Sequence, residues 1–358
     1  MERNTEPGAW PADPIAAVTH PDPYPWYAHI AAEPKLVYDE RLKLWVAAAP
    51  TLMREVLAHP DCRVRPVHEP VPAAIAGPAG ALFGALARMN EGPRHASPKA
   101  ALLHALATLD EQAVRACADR VAAPLAAGVA DAQTLNAYLF AAPVRTVAAL
   151  LGWPDERLAQ VEGWTREFVA CLSPLSSAAA IAASHGAADA LLAALRELVR
   201  AECTNPGKRH LLAGVLAAPM PDEHTLLANL AGLLSQTYEA TAGLLGNCVT
   251  ALLRDSAADR STLVERVSRA DPAIHNTRRY AACDVDVGGV RVTAGEGILL
   301  VLATADGFGH GRHACPGQAL ATTIVTRALL ALPAGLPALG WHYRPSVNAR
   351  IPVFMEAV

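Results

Sequence analysis

The stretch from Gly307 to Ala321, GFGHGRHACPGQALA, decides the fold. Its glycines at 309 and 311 let backbone approach a flat ligand without a Cβ in the way. Pro316 suits the start of a helix directly behind Cys315. A thiolate there faces unpaired N–H groups and the positive end of a helix dipole, which favours both its charge and its affinity for metal. The other six cysteines, at 62, 117, 171, 203, 248 and 283, form no CxxC pair, and a total of seven suits reduced thiols better than a disulfide framework.

Every fixed position of the ligand loop Phe-Gly-x-Gly-x-x-x-Cys-x-Gly is present, at Phe308, Gly309, Gly311, Cys315 and Gly317. In this the chain resembles the cytochrome P450 family. The resemblance implies a mainly α fold with a small β region, one heme domain over residues 1–358, and heme b (iron protoporphyrin IX) as cofactor. Cys315 would hold the iron, with Phe308, Gly309 and Gly317 beside the macrocycle. Thiolate ligation pushes electron density onto a heme iron and favours O–O cleavage.

Two buried heme propionates need cationic, hydrogen-bonding partners. The resemblance supplies them from three segments. MNEGPRHASPKAALL resembles the family's C helix and places His95 and Lys99 at i,i+4 on one face. NTRRYAACDVDVGGVRV resembles the strand that follows the K helix, with Arg279 in the propionate position. His313 is the third source. LLANLAGLLSQTYEATAGLLGN resembles the I helix over the distal heme face. Glu239 takes its acid position, Ala240 replaces its alcohol, and Thr237 and Thr241, again i,i+4, are the candidates to organise a water chain for proton delivery.

Two departures stand out. In LVERVSRADPAIHNTRRY the arginine of the family's Glu-x-x-Arg falls on Arg269, but Arg266 occupies the glutamate position, and moving the motif to Glu265 would require arginine at Ser268. Arg269, without its carboxylate, is expected to be buried and to turn to backbone carbonyls or water. The long meander between the strand ILLVLATA and the cysteine loop is also absent, Ala305-Asp306 running straight into Gly307-Phe308.

The rest of the chain agrees with an α-rich fold. Apolar residues make up 52% and aromatics 5%, so the core is built mainly from Ala, Leu and Val. Helical spacing predicts helices over 97–109, 111–127, 135–151, 154–172, 178–201, 224–253 and 316–330. A hairpin is expected over 36–48, a helix over 50–59, a loop with short helices over 66–84, and strands around a Gly288-Gly289 turn. The net charge of −4 argues against a nucleic-acid partner. With no signal-like start and no uninterrupted apolar run of spanning length, the expectation is a cytoplasmic protein without a membrane anchor.

The resemblance implies a P450-type monooxygenase acting on a small organic molecule in specialised metabolism, with a ferredoxin-type electron donor. The missing meander removes part of the surface on which the family docks such donors. Peroxide-driven or redox-neutral heme-thiolate chemistry is the second expectation, and a non-catalytic P450-like helper the third. Substrate contacts are expected from loops 64–86 and 172–179.

Overall fold

The structure, a computed structural model, describes residues 10–205, 210–305 and 307–357. Helix α1 (Tyr24–Ala31) carries Pro25 in its first turn, where a missing N–H costs nothing. The expected hairpin is present as β1 (Val37–Asp39) and β2 (Leu44–Ala47), followed by α2 (Pro50–Ala58) and β3 (Cys62–Arg63). Within the Pro- and Gly-rich loop lie a 3-10 turn (Ala73–Ile75) and α3 (Pro78–Ala85). A second 3-10 turn, Ala87–Met89, precedes α4 (Pro93–Ala107).

Helix α4 begins a turn earlier than 97, because Gly92 at φ 60° supplies a left-handed N-terminal corner before Pro93. α5 (Glu111–Ala127) is capped by the Asp110 carboxylate, which accepts from the N–H groups of Gln112 and Ala113. α6 (Ala132–Leu151) opens with a reciprocal capping box between Asp131 and Thr134 and stops at Gly152, whose φ of 105° only glycine adopts without strain. The segment 154–172 divides into α7 (Asp155–Val169) and a 3-10 turn (Ala170–Leu172). α8 (Ala178–Thr204) and the short α9 (His210–Leu216) lead to the 32-residue α10 (Glu223–Arg254).

α10 is the axis of the molecule. Buried residues occur on all sides of it, as expected of a helix enclosed by others. Its first half joins one apolar cluster with α3, α6, α7 and α8, and its second half joins another with α5, α6, α11 (Arg260–Ala270) and α12 (Gln318–Ala331). α6 and α8 are long and apolar enough to cross a bilayer by length and composition, although neither is an uninterrupted apolar run. In α6 the reason is packing, since 67% of its apolar window is buried in the protein; for α8 the share is 33%.

A five-stranded sheet, ordered β1-β2-β7-β4-β3, flanks the helices. It joins the N-terminal hairpin to β4 (Thr277–Ala281) and β7 (Gly297–Leu300), with β2 and β7 parallel at Trp45↔Ile298. β5 (Val285–Val287) and β6 (Val290–Val292) form the expected hairpin, and Gly288 and Gly289 take the positive φ values, 56° and 71°, that its two-residue turn requires. A C-terminal hairpin, β8 (Leu339–Tyr343) with β9 (Pro352–Glu356), extends the β region beyond the sequence expectation.

The K-helix expectation needs correction. Arg269 is not buried in search of carbonyls. It lies on the outer face of α11 with its side chain 77% exposed, and Nη2 meets Glu265 Oε1 at 2.6 Å in an ordinary i,i+4 pair. The missing meander is confirmed on either side of Asp306, itself outside the described residues: a 3-10 turn (Leu302–Thr304) ends three residues before the cysteine loop begins at Gly307.

The buried cation on this side is instead Arg350. It is 1% exposed, its Nε donates to Asp271 Oδ1 at 2.9 Å, and its other nitrogens donate to the carbonyls of Val18, His20 and Pro21. Tyr24 hydroxyl donates to the same Asp271 oxygen. This network ties the start of the chain to its end.

Candidate functional site

A cavity of about 760 Å³ lies between the first half of α10 and the cysteine loop, reached by residues of α4, β4 and the 64–89 segment. Cys315 stands on its wall. The surface that Cys315 exposes is therefore cavity wall. Burial pushes its thiol pKa up, while the Gly317 N–H and the charges of Lys99 and Arg88 pull it down. Helix α12 begins at Gln318 with Gly317 as its N-cap, two residues later than Pro316 suggests, and the Gly317 N–H still faces the sulfur.

The loop is held in shape from both sides. Gly309 and Gly311 take φ values of 77° and 68°, and Cys315 N–H donates to the Phe308 carbonyl at 2.9 Å. A side chain on Gly317 would meet nothing within 4 Å, and one on Gly309 would only graze Ala314 Cα at 4.0 Å. That open space above the loop suits a flat group. Arg312 pins the loop to the end of α2 through the carbonyls of His59 and Cys62, and its Nε meets Glu91 Oε2 at 3.0 Å.

Glu91 was not singled out from sequence, and it organises this corner. It also accepts from His313 Nε2 at 3.2 Å and from the Val64 N–H at 3.0 Å. Burial alone would raise its pKa; the hydrogen bond and charge of His313, with the Val64 and Arg312 bonds, outweigh it and lower the pKa to about 2. A carboxylate depressed in the folded state adds stability above its unfolded value, near 4.5, and loses it as pH falls toward 2. Acid titration of the unfolding midpoint should show that loss over pH 4.5 to 2, and Glu91→Gln should flatten the slope there; an identical slope in the variant would refute the assignment.

The four predicted propionate partners do converge. His95 and His313 stack with ring centroids 4.1 Å apart, and Lys99 Nζ donates to the Ala314 carbonyl at 2.5 Å. Pro98 lies inside α4, past its first turn, and leaves Lys99 on the cavity wall. His95 is buried, which together with the neighbouring charges of His313 and Lys99 lowers its pKa to about 4. Arg279 is 4% exposed, and burial lowers its pKa to about 10. Its Nη1 reaches only the Arg278 carbonyl, and its Nε has no partner. A buried guanidinium with an orphaned donor is costly unless an anion meets it.

On α10, Thr237 and Thr241 line the cavity, as do Gln236 and Ala240. Thr237 Oγ1 donates back to the Leu233 carbonyl at 2.7 Å. Glu239 does not share that wall: Arg344 Nη2 holds its Oε1 at 2.5 Å, with both side chains about one-third exposed. Phe308, Gly309, His313, Cys315 and Gly317 all border the cavity.

The donor set fits heme b. Among the described residues no three His, Cys, Asp or Glu side chains gather to hold a bare metal ion, so an iron held by Cys315 would need its other ligands from a macrocycle such as a porphyrin. The orphaned Arg279 Nε beside His95, Lys99 and His313 is the cationic corner that two carboxylates require.

No family model matches the sequence. Curated proteins do. Cytochrome P450 107B1 of Saccharopolyspora erythraea is 28% identical over 230 residues, 54% of this chain and 55% of that protein. The biotin biosynthesis cytochrome P450 of Bacillus subtilis is 24% identical over 272 residues, 63% of this chain and 67% of that one. The chain thus spans about half to two thirds of these relatives. The monooxygenase PikC of Streptomyces venezuelae is 25% identical, covering 91% of this chain and 89% of its own.

Among solved structures, CalO2 superposes with a TM-score of 0.81 at 22% identity, over 93% of this chain and 94% of its own. P450BioI in complex with a fatty acid-ligated acyl carrier protein gives 0.79 at 20%, over 93% and 97%. Such likeness shows the fold, and the fold carries the cysteine where the loop motif says it should be. In sequence this chain is similar to curated cytochrome P450s, and its fold is that of solved P450 structures.

Proposed function

We propose that the protein is a heme-thiolate oxidoreductase, one domain over residues 1–358, that monooxygenates a small, mainly apolar molecule in cytoplasmic specialised metabolism. The observation that carries this reading is the Cys315 sulfur on the wall of the same cavity that Arg279 lines with its unpartnered Nε. Bound there, heme b would supply thiolate-assisted oxygen activation. Cys315 would hold its iron, and Arg279, His95, Lys99 and His313 would bind its propionates. Phe308, Gly309 and Gly317 lie against the ring.

The distal wall is unusual for the family because Gln236 and Thr237 replace its small pair. Thr241, 3% exposed and facing the cavity, is the alcohol placed to order water there, with Thr237 one turn away. Glu239 stands behind this wall, paired with Arg344. Thr241→Val should slow oxygen-dependent turnover by about 100-fold, the lower range of a proton-delivery effect. Peroxide-supported turnover should be far less affected, and equal loss in both assays would defeat the role.

Peroxide-driven chemistry is the second reading. It is favoured by the trimmed side of the molecule, where no meander stands and Arg269 faces solvent. The test of the main reading is to load the protein with hemin, reduce it and add carbon monoxide. A thiolate-type difference band is expected; its absence would remove both enzyme readings. Comparing turnover with a surrogate ferredoxin pair against turnover with peroxide then separates the two.

A further inference from the structure

The cavity is lined by five permanently charged cations, Arg65, Arg88, Lys99, Arg278 and Arg279, and no Asp or Glu appears among its described lining residues. Heme carries two carboxylates. The cationic surplus has to be accounted for, because a charge held away from water without a partner is costly.

Most of these cations have visible roles. Arg65 donates to the carbonyls of Glu69 and Pro70 and lies over the Phe83 ring. Lys99 and Arg279 belong to the corner near His95 and His313; Arg278, next to Arg279 on β4, has no side-chain hydrogen bond or ion pair among the described residues, and its side chain shares that corner's strand. Arg88 is different. It stands on the 3-10 turn Ala87–Met89, and that turn is clamped to α10. Asn229, itself 1% exposed, accepts from the Ala87 N–H at 2.9 Å and donates to the Ala85 carbonyl at 3.1 Å, while Leu86 abuts Gly232.

The Arg88 guanidinium has no hydrogen-bond or ion-pair partner among the described residues, and the surface it exposes is cavity wall. Burial lowers its pKa, and the charges that act against this are Glu239 on α10 and Cys315. The same cavity has apolar wall at Leu102, Leu233, Leu244 and Ile181.

We infer that Arg88 recognises an acidic group on the substrate, so that the molecule oxidised is an amphiphile with one carboxylate or phosphate and an apolar body. This rests on the heme-thiolate reading above and names the substrate class of that site. A guanidinium on the cavity wall offers such an anion two parallel hydrogen bonds in a fixed plane, which would orient the apolar body along the remaining wall.

The experiment uses the heme-loaded protein, titrated with dodecanoate, dodecyl phosphate and methyl dodecanoate while the Soret band is followed. At least one of the two anions should bind ten or more times tighter than the ester, and the tighter one identifies the head group. Arg88→Gln should abolish that preference while heme content and the carbon monoxide spectrum stay unchanged. Equal binding of all three probes, binding of none, or a preference that survives in Arg88→Gln overturns the inference. So does heme loss in Arg88→Gln, which would make Arg88 a propionate ligand. A wild-type protein that takes up no heme at all overturns the parent reading, and this one with it.

Discussion

Cys315→Ala should give a folded protein that has lost the thiolate-type carbon monoxide band completely. The residue contributes nothing to either main apolar cluster, and its sulfur faces cavity space, so truncation leaves packing intact. No other cysteine lines the site except Cys171, which is 6% exposed, lies on the 3-10 turn after α7, and has its thiol pushed up to about 12, mainly by burial. A thiolate is the ligating form, and a thiol of that acidity yields almost none at neutral pH. Far-ultraviolet circular dichroism should match wild type while the difference spectrum is flat; a surviving thiolate band would remove Cys315 from its role.

The largest stability effect is expected from Arg350→Ala. The substitution leaves Asp271 without its cation and three carbonyls of the 18–21 segment without donors, and it removes the guanidinium stacked 3.4 Å over the Tyr343 ring. Breaking a buried pair from one side costs about 3–5 kcal/mol, because the remaining charge has lost both water and partner. Arg350→Lys should rescue little, since one ammonium cannot reach acceptors arranged for a planar fork. Urea unfolding measures the loss. Limited proteolysis should cut ahead of α1 in the variant, and unchanged resistance there would show that Arg350 does not anchor the N-terminal segment.

Much of this was legible in sequence because it is local. The helical spacings, the hairpin over 36–48 and the Gly288-Gly289 turn are fixed by side-chain period and by φ, which neighbouring residues decide. The cysteine loop was legible because close approach to a flat ring restricts each of its positions. What was missed depends on distant segments. Nothing near Glu91 indicates that Arg312 and His313, more than 200 residues later, will share its carboxylate. The pairing of β8 with β9 is joined by an irregular connection without a short turn signal. Arg269 went wrong for a related reason: the burial expected of it depended on a segment the chain lacks, and with that gone the residue relaxed to its nearest carboxylate. Arg88 has no sequence signature at all; its place on the cavity wall depends on a turn that Asn229, about 140 residues later, holds to α10.

The strand order of the main sheet bears on how the chain is made. β2 and β7 are parallel partners at Trp45 and Ile298, a separation of 298 − 45 = 253 residues, and β3 waits for β4 in the same way. During synthesis the helices between them can form and pack as they emerge, but the first hairpin has no permanent neighbour until nearly the whole polypeptide has left the ribosome. That strand edge is then the stretch most in need of a chaperone, and slowing translation upstream of residue 277 should lower the yield of native protein more than slowing it afterwards.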